Sequence, residues 1–242
     1  MEGMTQYSLR NKKYLMISIA VIILVWQVVA ISFNNRLLLP SFFDVLNEMH
    51  RIISREQFLR LVFNSIFRCI KSFIVSIIIA VILGIGSYFS KFIYNFLYPI
   101  TVFLKAIPTM AFIVLLLIWT SKDFAPTIIG IVISFPIFYE ATLNSLLNID
   151  EGLLHMVRVY RVSRSGKLRF VIMPVIYIEI KKILTSTISL IFKVVISGEV
   201  YSQPQYGIGS NIQFEKIQLN TAAVIAWMII IALIVCIFDF IM

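Results

Sequence analysis

The chain has 242 residues, of which 60% are apolar and only 14% charged, and its mean hydropathy is +0.95. A soluble globular protein carries about 25% charged and roughly 45–50% apolar residues, so this composition excludes an ordinary soluble domain. Apolar runs of about twenty residues suffice to cross a ~30 Å hydrocarbon core as helices, which satisfy their own backbone hydrogen bonds there. The sequence therefore predicts an all-α, polytopic helical membrane protein.

Charge and sequence motifs narrow the functional class further. The net charge is +9, but the basic residues cluster at the ends of apolar runs, so we expect membrane lipid and not nucleic acid as a partner. Cys69 and Cys236 lie inside apolar runs without close pairing, and His50 and His155 lack metal-ligand spacing. No Gly-rich phosphate loop with its lysine and no catalytic constellation is found, so no catalytic, metal or cofactor site is predicted on this chain.

The apolar runs predict about six transmembrane helices. Residues 1–13 precede the first span, residues 34–60 form a linker, and residues 61–242 form the main transmembrane domain. Pro40 opens an amphipathic pattern in the linker, which predicts a short helix lying in the membrane interface. Pro99 and Pro108 are expected to bend the third span. The predicted spans are 14–33, 61–89, 92–119, 127–147, 183–197 and 221–242.

The distribution of Lys and Arg predicts the orientation, because cytoplasmic loops are enriched in them. Six spans place both termini on one side, together with the loop between spans four and five. That side carries most of the basic loop residues, namely Arg10, Lys12, Lys13, Lys91, Arg158, Arg161, Arg164, Lys167, Arg169, Lys181 and Lys182. We therefore predict a multi-pass membrane protein whose N-terminus and long basic loop are cytoplasmic.

The loop of residues 149–174 is the longest polar interruption between spans. Asp150 and Glu151 precede an amphipathic turn, which predicts a first short helix because acidic groups favour helix N-termini. Ser163 is a residue type suited to cap a second helix, and Pro174 is expected to limit its continuation. Such a pair of helices suits docking into a protein groove; the alternative is a basic loop that faces lipid headgroups.

The register of this loop resembles that of permease subunits of bacterial ATP-binding cassette importers. Their cytoplasmic loop has the form Glu-Ala-Ala, three residues, Gly, nine residues, Ile, one residue, Leu-Pro. On this chain the pattern falls on His155–Val157, Arg161, Val171 and Met173-Pro174, so the spacing is kept while most identities differ. Arg161 replaces the family's glycine, which predicts a non-glycine residue where positive φ is favoured.

Further fragments in the same order resemble the nitrate, sulfonate and taurine branch of these permeases. The fragments are Leu39-Pro40-Ser41, Asn64–Arg68, Leu83-Gly84, Lys105–Ala111, Leu117–Trp119, Phe135–Ile137, Ser197–Glu199 and Tyr206–Gly209. Glu140-Ala141 also resembles the start of the loop motif, but it lies too early in the chain to be that motif.

The resemblance implies a subunit of the bacterial cytoplasmic (inner) membrane that forms a solute pathway and performs no bond chemistry. Its implied partners are a second permease subunit, an extracytoplasmic solute-binding protein and cytoplasmic ATPase subunits, which would bind ATP and Mg. Ser163 to Phe170 is the expected contact with the ATPase, with apolar anchors inside a charged rim. The candidate coupling residues are His155, Arg161, Ser163, Arg164, Lys167, Leu168, Phe170 and Pro174.

Charged residues inside spans are the other candidates, since each costs about 2.5–3.5 kcal/mol at a helix centre unless paired or hydrated. The candidate pathway residues are Lys105, Pro108, Lys193 and Glu199. Lys105 and Lys193 favour an anionic or electron-rich solute, of the sulfonate, nitrate, taurine or thiamine-precursor type in this family. The alternatives are that Arg68, Lys71, Lys105 and Lys193 snorkel or pair with backbone carbonyls, and that Glu199 is a structural ion-pair partner instead of a gate.

Two other classes remain open from the sequence. A membrane assembly or structural subunit would bind a cytoplasmic partner without moving solute. A membrane-embedded enzyme would need a catalytic cluster that the sequence does not display.

Overall fold

The protein's structure is a computed structural model that describes residues 12–33, 35 and 37–241. Within these ranges every regular element is helical. The α-helices are α1 Lys12–Phe33, α2 Phe42–Ile53, α3 Phe58–Phe89, α4 Lys91–Ala106, α5 Thr109–Trp119, α6 Ala125–Leu147, α7 Glu151–Val159, α8 Arg164–Lys167, α9 Met173–Ser202, α10 Ile208–Ile217 and α11 Thr221–Ile241, with a π-helical turn at Leu168–Ile172 between α8 and α9. The all-α prediction is confirmed.

Among the described residues, five helical segments are long and apolar enough to cross a membrane, and the pair α4 and α5 brings the number to six if it forms one span. The helix axis bends by 106° between them. The break falls at Pro108, which lacks an N–H and forces the preceding Ile107 into an extended conformation with φ −69° and ψ 130°. Pro99, by contrast, lies inside α4. The third predicted span is thus two helices joined by a sharp corner.

The fifth span is longer than the sequence predicts, and the expected role of Pro174 is wrong. Instead of ending a short helix, Pro174 occupies the first turn of α9, which runs on to Ser202. A proline ring clashes with the carbonyl four residues earlier in a regular α-helix. The π-helical turn just before α9 widens the backbone there, so the chain passes from α8 into α9 without a break.

The chain divides into two compact units. The smaller unit comprises Met1–Arg55 and Phe214–Ile230, and the larger comprises Glu56–Gln213 and Ile231–Met242. In the smaller unit, Ser41 and Asp44 form a capping box at the start of α2, which coincides with the predicted amphipathic helix. The buried Glu215 accepts a hydrogen bond of 2.9 Å from Arg55.

Helices α3, α6 and α9 form the core of the larger unit through small residues. One face of α3 is buried along the length of the helix. Its buried small residues are Ser65, Cys69, Ser72, Ser76, Ala80, Gly84 and Ser87. A Cβ on Gly84 would lie 2.7 Å from Thr142, and one on Gly130 would lie 2.7 Å from the Ser72 Cβ. Small residues let helix backbones approach closely, which is how membrane helices associate without a hydrophobic driving force.

Candidate functional site

Local capping produces both helices of the 149–174 loop. The Asp150 carboxylate accepts a hydrogen bond of 2.9 Å from the Leu153 N–H at the start of α7. The Ser163 hydroxyl accepts one of 3.2 Å from the Gly166 N–H at the start of α8. Both side chains satisfy helix N–H groups that have no partner within the helix. The helix starts predicted at Asp150 and Ser163 are confirmed.

Arg161 forms the joint between the two helices with a left-handed backbone, φ 49°. This is the position where the resemblance places a glycine, and the prediction that a non-glycine residue takes positive φ there is confirmed. A left-handed conformation costs an L-residue roughly 1–2 kcal/mol. The loop therefore turns at this position with a residue for which the left-handed conformation is unfavourable.

The outer surface of the loop is apolar with basic groups around it. Met156 and Val159 of α7 and Tyr160, which directly follows it, are 56–75% exposed, and Phe170 is 71% exposed. Val171 is buried and anchors the loop from below. The remaining candidates differ in exposure: His155, Arg161, Ser163, Leu168, Arg169 and Pro174 are exposed and Lys167 is half-buried, while the side chain of Arg164 lies outside the described residues.

Glu199 is fully buried near the other end of α9 and binds three groups. Its carboxylate accepts hydrogen bonds from the Ser65 hydroxyl at 2.7 and 2.9 Å, from the Arg68 guanidinium at 2.8 Å and from the Gly209 N–H at 3.0 Å. Arg68 also donates to the Tyr206 carbonyl at 2.6 Å. Glu199 therefore forms an ion pair with Arg68, and Arg68 pairs with a carbonyl as well as with a carboxylate.

The Gly-x-Gly turn after α9 closes over this carboxylate. A Cβ on Gly207 would lie 2.7 Å from a Glu199 oxygen, and one on Gly209 would lie 2.6 Å from both the Glu199 Cβ and the Val200 N. Neither glycine has positive φ, so the requirement at both is space and not backbone conformation. We call Ser65, Arg68, Glu199, Tyr206, Gly207 and Gly209 the buried clamp.

The lysines of the predicted pathway lie in different environments. Lys105, in the last turn of α4, pairs with Glu140 of α6, and both side chains are partly exposed. This ion pair was not predicted from the sequence, in which Glu140 was considered only as part of a dipeptide that resembles the loop motif. Lys193 is exposed on α9, and no ion pair to it is found among the described residues.

The structure does not gather the pathway candidates into one site. Pro108 makes the corner between α4 and α5, Glu199 belongs to the buried clamp, and Lys105 and Lys193 have separate surroundings. Sequence reasoning also missed Ser65, although its place in the small-residue face of α3 is a signal that marks helix contact. No group of three metal-ligating residues occurs in the part of the chain that the structure describes.

These features define a polytopic helical membrane protein with a protruding two-helix loop. The model of the binding-protein-dependent transport system inner membrane component family matches residues 59–242, and the chain belongs to this family. It is thus a permease subunit of an ATP-binding cassette importer and a multi-pass inner-membrane protein, which confirms the family proposed from the loop register. No curated protein shows significant similarity to this chain.

Proposed function

We propose that this permease subunit couples ATP hydrolysis by a separate ATPase, with its ATP and Mg, to solute import through the 149–174 loop. The observation that supports this most directly is the exposed apolar surface of α7 and Phe170 in a loop that also carries Arg158 and Arg169. Exposed apolar patches with a polar rim are typical of protein interfaces. In the proposed orientation the N-terminus and this loop face the cytoplasm.

Continuity between the loop and the membrane helix supports a mechanical role. Residues Ser165–Ser202 form one run of 38 residues that satisfies the length and hydropathy of a span. At a rise of 1.5 Å per residue such a run is roughly 55 Å long. A displacement of the loop by a closing ATPase is therefore transmitted along α9 to the buried clamp, which holds the turn at Tyr206–Gly209.

The exposed face of α9 is our candidate for the pathway lining. Residues on this face recur at helical spacing, and each is exposed or partly exposed: Ser186, Leu190, Lys193, Ser197 and Tyr201. A lysine among serines is costly against lipid but not against water. Its positive charge supports an anionic or electron-rich cargo such as a sulfonate, nitrate, taurine or thiamine-precursor pyrimidine, delivered by an external binding protein to a pair of permease subunits.

The test of coupling is co-purification in detergent with the ATPase encoded beside this chain. Phe170→Asp and Leu168→Asp are expected to reduce capture by at least about tenfold, because each places a charge in an apolar contact. Phe170→Leu and the exposed Lys181→Asp are the matched controls and should retain capture.

Failure of the folded wild-type chain to capture any ATPase would contradict the proposal. Equal capture by wild type and both Asp variants would place the contact elsewhere on the chain. Loop-dependent capture without solute uptake into vesicles would favour an assembly subunit that binds a partner and moves no cargo.

A further inference from the structure

Two adjoining cavities lie beneath the loop, on the side facing α3. The first has a volume of about 400 Å³ and is lined by Tyr88, Leu154, Val157, Arg158, Arg161, Val162 and Lys167. The second has a volume of about 700 Å³ and is lined by Phe89, Ser165, Lys167, Leu168 and Ile172. Lys167 lines both cavities, so they are neighbours on one surface.

The first cavity is cationic. Arg158, Arg161 and Lys167 line it together with the Tyr88 ring, and its lining contains no carboxylate. None of these three cations takes part in the salt bridges found among the described residues. Guanidinium groups in such a setting are suited to bind phosphate oxygens through charge-assisted hydrogen bonds.

The second cavity is predominantly apolar and lies where membrane helices begin and end. Phe89 is the last residue of α3, and Ile172 directly precedes α9, both helices being long enough to span a bilayer. Lys167 is half-buried between this apolar lining and the cationic cavity. A molecule that fills both cavities must therefore be anionic at one end and hydrocarbon at the other.

We propose that these cavities bind an anionic phospholipid. Its phosphate lies among Arg158, Arg161 and Lys167, and an acyl chain lies against Phe89, Leu168 and Ile172. Basic pockets between membrane helices are a recognised form of lipid-headgroup site. A free phosphate ion leaves the apolar cavity unexplained. A zwitterionic lipid lacks the net negative charge favoured by three cations that form no ion pair with another described residue.

The lipid would also account for the residue at the loop joint. Arg161 adopts a conformation that glycine takes without strain, yet its guanidinium contributes one of the three charges of the cavity. Arg161→Gly therefore removes the charge while relieving the backbone. This substitution separates a binding effect from a folding effect.

The test is native mass spectrometry of the full chain, purified alone in detergent and titrated with phosphatidylglycerol or with phosphatidylcholine of the same acyl chains. We expect the wild type to retain phosphatidylglycerol preferentially. Arg158→Ala, Lys167→Ala and Arg161→Gly should each weaken its retention about fivefold, as expected for one basic group near an anionic lipid. Arg169→Ala and Lys181→Ala, which remove charges outside the cavity, should change it less than twofold.

The melting temperature of Arg161→Gly in the same detergent should be no lower than that of the wild type. Equal retention of both lipids, or equal loss with Arg169→Ala, would overturn the proposal. Complete displacement of the lipid by millimolar inorganic phosphate would identify a simple anion site instead. If the three cavity variants retain the lipid as the wild type does but no longer capture the ATPase, the cavity belongs to the ATPase contact and the lipid proposal is wrong. The lipid measurement uses no ATPase, so its result can be interpreted even if the proposed coupling function fails.

Discussion

Glu199 shows how hydrogen-bond donors stabilise a buried carboxylate inside a membrane protein. A charge taken out of water is stable only when its lone pairs are satisfied, and here a hydroxyl, a guanidinium and a backbone N–H all donate to it. Arg68 is only 12% exposed and has Asp123 as a second acidic neighbour at 3.7 Å. The pair is therefore a buried ion pair whose two charges depend on each other.

Glu199→Gln is expected to destabilise the fold by about 3–5 kcal/mol, because it leaves the buried Arg68 without its closest counter-charge. The measurement is the thermal or denaturant midpoint of the purified chain in detergent. Glu179→Gln is the matched control: its partner Lys182 is 64% exposed, and such surface pairs contribute only about 0–1 kcal/mol.

The double variant Arg68→Gln with Glu199→Gln tests the pairing itself. The combined loss should be smaller than the sum of the two single losses, because each single substitution leaves the remaining side chain without its closest counter-charge. Strictly additive losses would show that the two side chains contribute independently, contrary to the geometry.

At the scale of elements, the connection from α9 to α10 depends on close backbone packing. Gly207 and Gly209 leave no room for a side chain beside Glu199, and the Ile196 carbonyl is also in contact distance of a Cβ at Gly209. The connection at the opposite end of α9 is made differently, by a π-helical turn that carries the chain past Pro174. Both ends of the helix are thus set by backbone geometry.

Gly209→Ala should destabilise the protein by roughly 1–3 kcal/mol, the usual cost of forcing an extra carbon into a packed site. Thermal melting and the yield of folded protein in detergent measure the effect. Gly86→Ala serves for comparison, since its nearest contact would be the flexible end of Ile93 at 3.4 Å and alanine favours a helix interior. A Gly209→Ala variant as stable as Gly86→Ala would refute tight packing at the turn.

For the whole molecule, α9 connects the three features on which the proposed function rests. It begins at the exposed loop, carries Lys193 on an exposed face and ends at the buried clamp. Water along this face would account for an exposed lysine in the middle of an apolar helix. The same face against lipid would leave the charge to snorkel towards the membrane surface.

Cysteine labelling distinguishes these two environments. In a Cys236→Ser background, Lys193→Cys should react at least about tenfold faster with a charged methanethiosulfonate reagent than Leu233→Cys, because the reactive thiolate forms only in water. Leu233 is 52% exposed in the apolar helix α11 and serves as the comparison, while the native Cys69 is buried and should not react. Equal rates at the two positions in membranes would remove Lys193 from the pathway.

The amino-acid sequence by itself determined those features that depend on neighbours along the chain. Apolar runs predicted the spans, Asp150 and Ser163 predicted helix starts, and Pro108 predicted a bend, because hydropathy, capping and proline geometry all act over a few residues. The order of the short motifs was sufficient to predict the protein family. Arg161 could be placed at positive φ because the spacing of the loop pattern survives where its glycine does not.

Only the tertiary structure decided which distant residues meet. Glu140 pairs with Lys105 across 35 positions, and Ser65 meets Glu199 across 134, and neither pairing has a periodic signal in the sequence. The two cavities under the loop likewise require α3 and the loop to be adjacent in space. Pro174 was misread for the same reason, since a proline limits a regular α-helix, whereas the π-helical turn that accommodates it is a property of the folded backbone.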